Sequence, residues 1–344
     1  MKIVFDPKKG ETNNYIDIIV NSLQQEGIEV YSSKEAFSSI KLFCSIKLFH
    51  FNWIENAQGV KLFKQFLKII FLKCINKKII WTLHNKQPHD NKLIFGFNFI
   101  RFLIMVSDII IIHSKVSSDV ILETSKSNKY LRKIKYIPHP NYIISYSEND
   151  LCKHEVTNDS RLKLLFIGAI KPYKNLEVLL EIIKELNDQV ELTIAGKSSH
   201  EDYFESLLKI KGNSKNIILK NKFLNDDEMK SFIKSSDLLV LPYDITSSLN
   251  SGTVILAFSN KRSVICPAIG TILDLKNKES LISYDYKNID DHKKQLRKSI
   301  FKALKIKVEN ENKFFEWGEK LFNEMIENND PNSIAKKLSD IYKI

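Results

Sequence analysis

The stretch FIGAIKPYKNLEVLLEII, residues 166–183, places Lys171 and Lys174 between an apolar run of strand length and an amphipathic helical pattern. The positive end of a helix dipole repels cations, so two lysines at a helix start are costly unless an anion sits between them. A diphosphate is such an anion, and ammonium groups and free backbone N–H groups can hold its oxygens. The structural alternative is two solvated lysines on a loop. A second candidate is YDITSSLNSGTVILAFS, 243–259. Helical period resumes after Gly252, with Ser251 or Asn250 as N-cap and Thr253 beside it, small residues where backbone can approach a ligand closely. Tyr243 ends the preceding strand. A third is WTLHNKQPHD, 81–90, in which His84 leaves an apolar strand at its carboxyl end, placed to bond a substrate hydroxyl or accept a proton. The bland alternative is a satisfied strand-end histidine. His113 and His139 also follow strands, and His89 reads as surface. No H-E-x-x-H, Cys/His cluster or Asp-x-Asp occurs, so no metal site is expected.

These residues need elements to position them. Apolar runs of strand length alternate with helical segments along the chain: 2–6, 28–32, 45–51, 78–84 and 108–114, then 162–168, 190–196, 216–221, 237–243 and 262–267. Helical patterns fall at 13–26, 58–76, 92–106 and 115–125 in the first series. Continuous apolar strands alternating with helices predict an α/β chain of parallel sheets covered on both faces, and two series predict two Rossmann-like domains. The polar stretch 146–161 separates them. From about 289 the pattern is helical, with a break at Asp330-Pro331. Asn175 reads as the N-cap of the helix after the lysine turn. In such sheets ligands bind beyond the carboxyl ends of strands, where all these candidates lie.

The 344 residues carry a net charge of +11, and residues 1–155 hold 22 Lys and Arg against 14 Asp and Glu. A basic front half suits an anionic partner. No nucleic-acid motif stands out, so no nucleic acid is expected. The segment KLFKQFLKIIFLKCINKK, 61–78, sets Lys61, Lys64 and Lys68 on one helical face among apolar residues, as in a helix lying on anionic lipid. The alternative is a helix packed on its own sheet. Scattered Cys44, Cys74, Cys152 and Cys266 suggest a reducing, cytoplasmic setting. The start MKIVFDPKKG turns polar within six residues, too soon for a signal peptide, and no apolar run reaches membrane-span length.

Taken in order, KLFHFNWIEN (47–56), WTLHNKQPHD, SDIIIIHS, YIPHPNY, FIGAIKPYKNLEVLL, LTIAGKS and SSDLLVLPY followed by SGTVILAFSNKRSVICPAIG resemble GT-B-fold glycosyltransferases. The resemblance is to the family-4-like, group 1 enzymes of bacterial polysaccharide and glycan biosynthesis. It implies residues 1–150 as an acceptor domain and 151–344 as a nucleotide-sugar domain, sheets facing a central cleft, and last helices crossing back to the first domain. It implies a nucleotide-sugar donor, a glycan or polyprenyl-linked acceptor, no cofactor, and metal-independent chemistry with retention. A lipid-linked acceptor, together with the basic front half and the lysine-edged helix, points to a peripheral place at the inner face of the plasma membrane. By the same resemblance Lys174 neutralises the donor diphosphate with Lys171 beside it, and Phe223, Tyr243, Ser251, Gly252 and Thr253 complete the donor side. His84 contacts the transferred sugar. Asn14, Tyr15, Trp53, Asn85, His113 and His139 face the acceptor. The chain departs from the family where two glutamates usually stand, at Ser248 and Leu256. It departs again at Ala169 in place of an arginine, and at Lys261 to Val264 in place of Gly-x-Pro-Val. The missing glutamates motivate one alternative, a non-catalytic GT-B binding subunit, and the shared fold motivates another, a nucleotide-sugar 2-epimerase. The epimerase needs cleft carboxylates that the strand ends do not offer.

Overall fold

The computed structural model describes residues 1–10, 14–85, 98–143 and 161–343. His89, Cys152, the 92–97 part of one expected helix and most of the 146–161 separator lie outside them. Two compact units emerge. Unit 1 comprises Met1–Tyr142, Thr246–Asn250 and Asn328–Ile344, and unit 2 comprises Ile143–Ile245 and Ser251–Glu327.

Unit 1 is built on six parallel strands: β1 (Lys2–Asp6), β2 (Glu29–Tyr31), β3 (Leu48–Asn52), β4 (Lys78–Leu83), β5 (Ile109–Ile112) and β6 (Ile134–Tyr136). Their order is β2-β1-β3-β4-β5-β6. The apolar runs are continuous because both faces are covered. Val4, Phe49, Phe51, Ile79, Trp81 and Ile110 pack on one side with helices Gly59–Cys74 and Phe99–Val106. Ile3, Phe5, Leu48, Ile80 and Ile111 pack on the other with Tyr15–Gln25 and the last helix, Pro331–Lys343.

Unit 2 holds β7 (Leu162–Ile167), β8 (Val190–Gly196), β9 (Ile217–Asn221), β10 (Leu238–Val240), β11 (Ser263–Pro267) and β12 (Ile282–Tyr284), all parallel, in the order β12-β11-β10-β7-β8-β9. The order reverses between β7 and β10, the place in such open sheets where ligands bind beyond the carboxyl ends of the strands. The lysine turn leaves β7 and Tyr243 follows β10.

The sequence reading missed β6 and β12. Each is a three-residue strand at a sheet edge, too short to show a period. The run 45–51 begins later than read, because Ile40–Ser45 is a short helix capped by Ser39, and Ser33–Phe37 before it closes a capping box on Ser32. The helical tail resolves into Ile289–Glu309, Lys313–Asn328 and Pro331–Lys343.

Candidate active site

In unit 2 the geometry starts from two glycines. Gly168, at φ 125°, ends β7, and its carbonyl oxygen would lie 1.9 Å from a Cβ on Gly196, itself at φ 155°. Only glycine permits this approach of β7 and β8. A Cβ at Gly168 would meet Thr253 Oγ1 at 3.5 Å, so the end of β7 faces the start of helix Gly252–Ser259. Ser251 is the N-cap of that helix: Val254 N donates to its Oγ, and its own hydroxyl donates to Tyr243 Oη at 3.1 Å.

The lysine turn is a short 3₁₀ segment, Pro172–Lys174. Asn175 occupies the expected N-cap position of helix Leu176–Glu185, but its side chain does not cap it. It adopts the left-handed conformation, φ 50°, makes no side-chain cap bond, and donates from Nδ2 to Pro242 O at 3.1 Å. Asp244 N donates to Tyr173 O at 3.1 Å. These bonds tie the β7 loop to the β10 loop. Lys174 is thereby laid over the Tyr243 ring, with Nζ 3.6 Å from the centroid, and beside Tyr173 at 4.8 Å. The cation–π contact stabilises the ammonium, but no carboxylate reaches ion-pair distance of it among the described residues. Burial pushes its pKa down to about 7, and Lys171 pushes the same way, while the Cys266 thiol opposes them. Phe223 is exposed, just beyond β9, two strands away from β7.

Ala169 is exposed on the same turn, Leu256 lies in helix Gly252–Ser259 and Ser248 belongs to unit 1. Arg262, where the family's Gly-x-Pro-Val would fall, holds backbone together: its guanidinium donates to the carbonyls of Ile233, Ser236 and Lys234.

In unit 1 the strand-end residues converge. Trp53 and His84 stack with centroids 4.2 Å apart, and Tyr15 packs edge-on against both. Tyr15 Oη lies 2.9 Å from His113 Nε2, and His113 Nδ1–H donates to Ile137 O at 2.8 Å. A neutral ring with its proton on Nδ1 accepts at Nε2, so Tyr15 is the donor. His139 packs against Tyr15 and His113, and its Nδ1–H donates to Pro140 O. His84 Nε2–H donates to Asn52 Oδ1 at 3.0 Å, which leaves the ring's lone pair on Nδ1. Burial holds all three imidazoles neutral: His113 falls to about 4, His139 to about 3, and His84 well below its ordinary value. His84 is thus a hydrogen-bonding group and a weak base. Asn85 Nδ2 reaches Asn56 Oδ1, and Asn14 precedes helix Tyr15–Gln25 without a side-chain cap bond.

Sequence reasoning missed Asn52, His50 and Glu55 as contributors. His50 is buried between Tyr342 and Thr82, with 2.7 Å to each hydroxyl. Asn52 Nδ2 is buried with no hydrogen-bond partner among the described residues. The only local signal for these residues was their place in LFHFNWIEN.

The helix Gly59–Cys74 corrects one expectation. Lys68 is not a surface charge: it pairs with Asp6 at 3.2 Å and lies 4.9 Å from the centroid of the Phe51 ring. The rest of the helix is more exposed than a core helix. Among its residues only Ile69 and Leu72 are buried, whereas Val60, Phe63, Leu67 and Phe71 are exposed, as is nearby Ile40.

Residues 148–284 match the family "Glycosyl transferases group 1". A GDP-mannose:glycolipid 4-beta-D-mannosyltransferase of Xanthomonas campestris pv. campestris is 29% identical over 106 residues. That match spans 30% of this chain and 30% of the relative, so less than a third of the curated relative's length is matched. Sucrose-phosphate synthase from Thermosynechococcus elongatus shares the fold with a TM-score of 0.74 at 12% identity, covering 99% of this chain and 98% of that one. Anabaena HepE, solved in complex with UDP-glucose, does so with a TM-score of 0.68 at 11% identity, covering 100% and 99%. The two parallel-sheet units are those of the GT-B fold, and the segment that matches the group 1 family contains the lysine turn, Tyr243 and the Ser251 cap.

Proposed function

We propose that the chain transfers a sugar from a nucleotide-sugar donor to a glycan or lipid-linked acceptor in surface polysaccharide biosynthesis. The observation that carries this reading is Lys174, largely buried on the Tyr243 ring at the strand-order reversal of the segment that matches the group 1 family, with no anionic partner among the described residues. A leaving nucleoside diphosphate gains charge as its bond to the sugar breaks. A preorganised ammonium and the N–H groups at the Ser251-capped helix start stabilise that charge most in the transition state. Lys171 and Lys174 supply the countercharge that a metal supplies elsewhere, which supports metal-independent transfer. The relative's name specifies GDP-mannose and the neighbour was solved with UDP-glucose, so both donor classes belong in the first screen.

Unit 1 takes the acceptor in this reading. Trp53, Tyr15 and the neutral imidazoles of His84, His113 and His139 offer ring faces and hydrogen bonds without net charge, as a sugar requires. His84 meets the transferred sugar. Retention is favoured because the buried imidazoles are weak bases and Glu55, beside His84, is engaged by Trp81 and by backbone. The relative's name carries a β-linkage, so proton NMR of the product's anomeric centre is the deciding measurement, and a product inverted relative to the donor would refute retention.

No helix among the described residues is long and apolar enough to cross a membrane. Peripheral attachment to an anionic inner membrane surface is supported by the exposed Val60, Phe63, Leu67 and Phe71 beside Lys61 and Lys64. The test of the whole reading is transfer by purified protein from UDP- and GDP-sugars, with and without EDTA, compared with Lys174→Ala. Equal turnover in that variant at saturating donor would refute the donor-site assignment.

A further inference from the structure

Glu55 is a carboxylate in the interior of unit 1 to which nothing above gives a role of its own. It is 1% exposed. It sits on the 3₁₀ turn Ile54–Asn56 directly after Trp53, which adopts a left-handed backbone, φ 51°. Its two oxygens point to different donors. Oε2 accepts from the Trp81 indole Nε1–H at 3.1 Å, and Oε1 accepts from the backbone N–H of His84 at 3.3 Å. The Asn85 N–H and the residue's own N–H add backbone hydrogen bonds to the same carboxylate. One side chain thus ties the residues after β3 to the end of β4 and to the turn that follows it. Trp53 and His84, which stack at 4.2 Å, flank this tie.

We infer that Glu55 is a positioning residue: by bonding Trp81 on one oxygen and the His84 main chain on the other, it fixes His84 against Trp53 for sugar transfer. A buried carboxylate is costly unless every oxygen is satisfied. A structural filler would be better served by an apolar residue at this place, between Ile54 and the β4 strand. What the carboxylate adds is acceptance in two directions, and both donors belong to the strand that delivers His84. The inference rests on the sugar-transfer reading for its kinetic consequence only. The tie itself is independent of it.

The test exploits that double acceptance. Glu55→Gln keeps size but turns one acceptor into an N–H donor, so either Trp81 or His84 N faces another donor. Trp81→Phe in the same chain removes the indole donor and lets the glutamine oxygen take His84 N. Expected are a fall in turnover of about 10²-fold in Glu55→Gln, donor KM unchanged, and partial recovery in Glu55→Gln/Trp81→Phe. In a His84→Ala background, Glu55→Gln should add little further loss. Equal multiplicative losses in both backgrounds would overturn the inference. Long-range nitrogen NMR of labelled histidine reads the same tie without activity: the His84 signals should move in Glu55→Gln and return toward wild type in the double variant. If they stay fixed in the single variant, Glu55 does not position His84, whatever the kinetics. Absence of transfer in wild type for every donor tried would refute sugar transfer, and the NMR arm alone would then decide Glu55.

Discussion

Lys174 is unusual because it is held against an aromatic ring in a site whose burial disfavours its charge. With its pKa lowered to about 7, most of it is neutral at pH 8 in the free protein. A diphosphate favours the ammonium, so binding above pH 7 must take up a proton. Donor affinity should then weaken as pH rises from 7, by up to about tenfold per pH unit. Calorimetry at pH 8 in two buffers of different ionisation enthalpy should show that uptake, and identical enthalpies would contradict it. Lys174→Ala should lower turnover by about 10²–10³ with little change in Tm. His84 belongs to the other unit and bonds Asn52, so His84→Ala should lower kcat more than donor affinity. An unchanged kcat with weaker donor titration would make it a binding residue instead. Gly196 is a purely steric case. Gly196→Ala would bring Cβ to 1.9 Å from Gly168 O at a positive φ, and thermal melts should show a large loss of stability or no folded protein.

At the scale of elements, helix Gly59–Cys74 separates two kinds of lysine that look alike in sequence. Lys68 neutralises Asp6 at the end of β1, while Lys61 and Lys64 are exposed beside Phe63 and Leu67. Each basic residue near an anionic surface contributes about 1 kcal/mol, screened by salt. The chain should therefore sediment with anionic liposomes at low salt and not with neutral ones. Lys61→Glu/Lys64→Glu should release it with Tm unchanged. Lys68→Glu should instead lower Tm, because it sets two carboxylates against each other. Liposome binding indifferent to the first pair of changes would return this helix to the role of an ordinary surface element.

The whole molecule carries an acid sensitivity written in its buried histidines. His50 and His139 fall to about 3, His113 and His292 to about 4, and His84 further, all chiefly through burial. Unfolded, each binds a proton near its ordinary value, so below that value the unfolded state holds more protons and stability falls as pH falls. Each contributes a slope of about 1.4 kcal/mol per pH unit well below pH 6.5. Glu55 works the other way. Its carboxyl is raised to about 7, so its contribution weakens stability as pH rises from 4.5 to 7. Five histidines outweigh one carboxyl. Urea unfolding should show a lower midpoint at pH 5 than at pH 7, and a higher one would mean that the imidazoles are solvated.

The sequence by itself determined the parallel α/β class, ten of the twelve described strands, the lysine turn and a capped helix start at Asn250 or Ser251, of which the structure selects Ser251. These depend on local period, on glycine's reach into positive φ and on capping chemistry, all of which act within a few residues. Tertiary structure decided what depends on partners far along the chain. It placed β10 beside β7, 67 residues after Asn175 was committed to a turn it now locks through Pro242. It gave Lys68 to Asp6, 62 residues away, and so removed one charge from the surface. It made the histidines neutral, because desolvation is a property of the packed interior and not of any tripeptide. It also put Glu55 under Trp81 and His84: a glutamate in WIEN reads as solvent-facing until two strands close over it, and only then does its second oxygen acquire a donor.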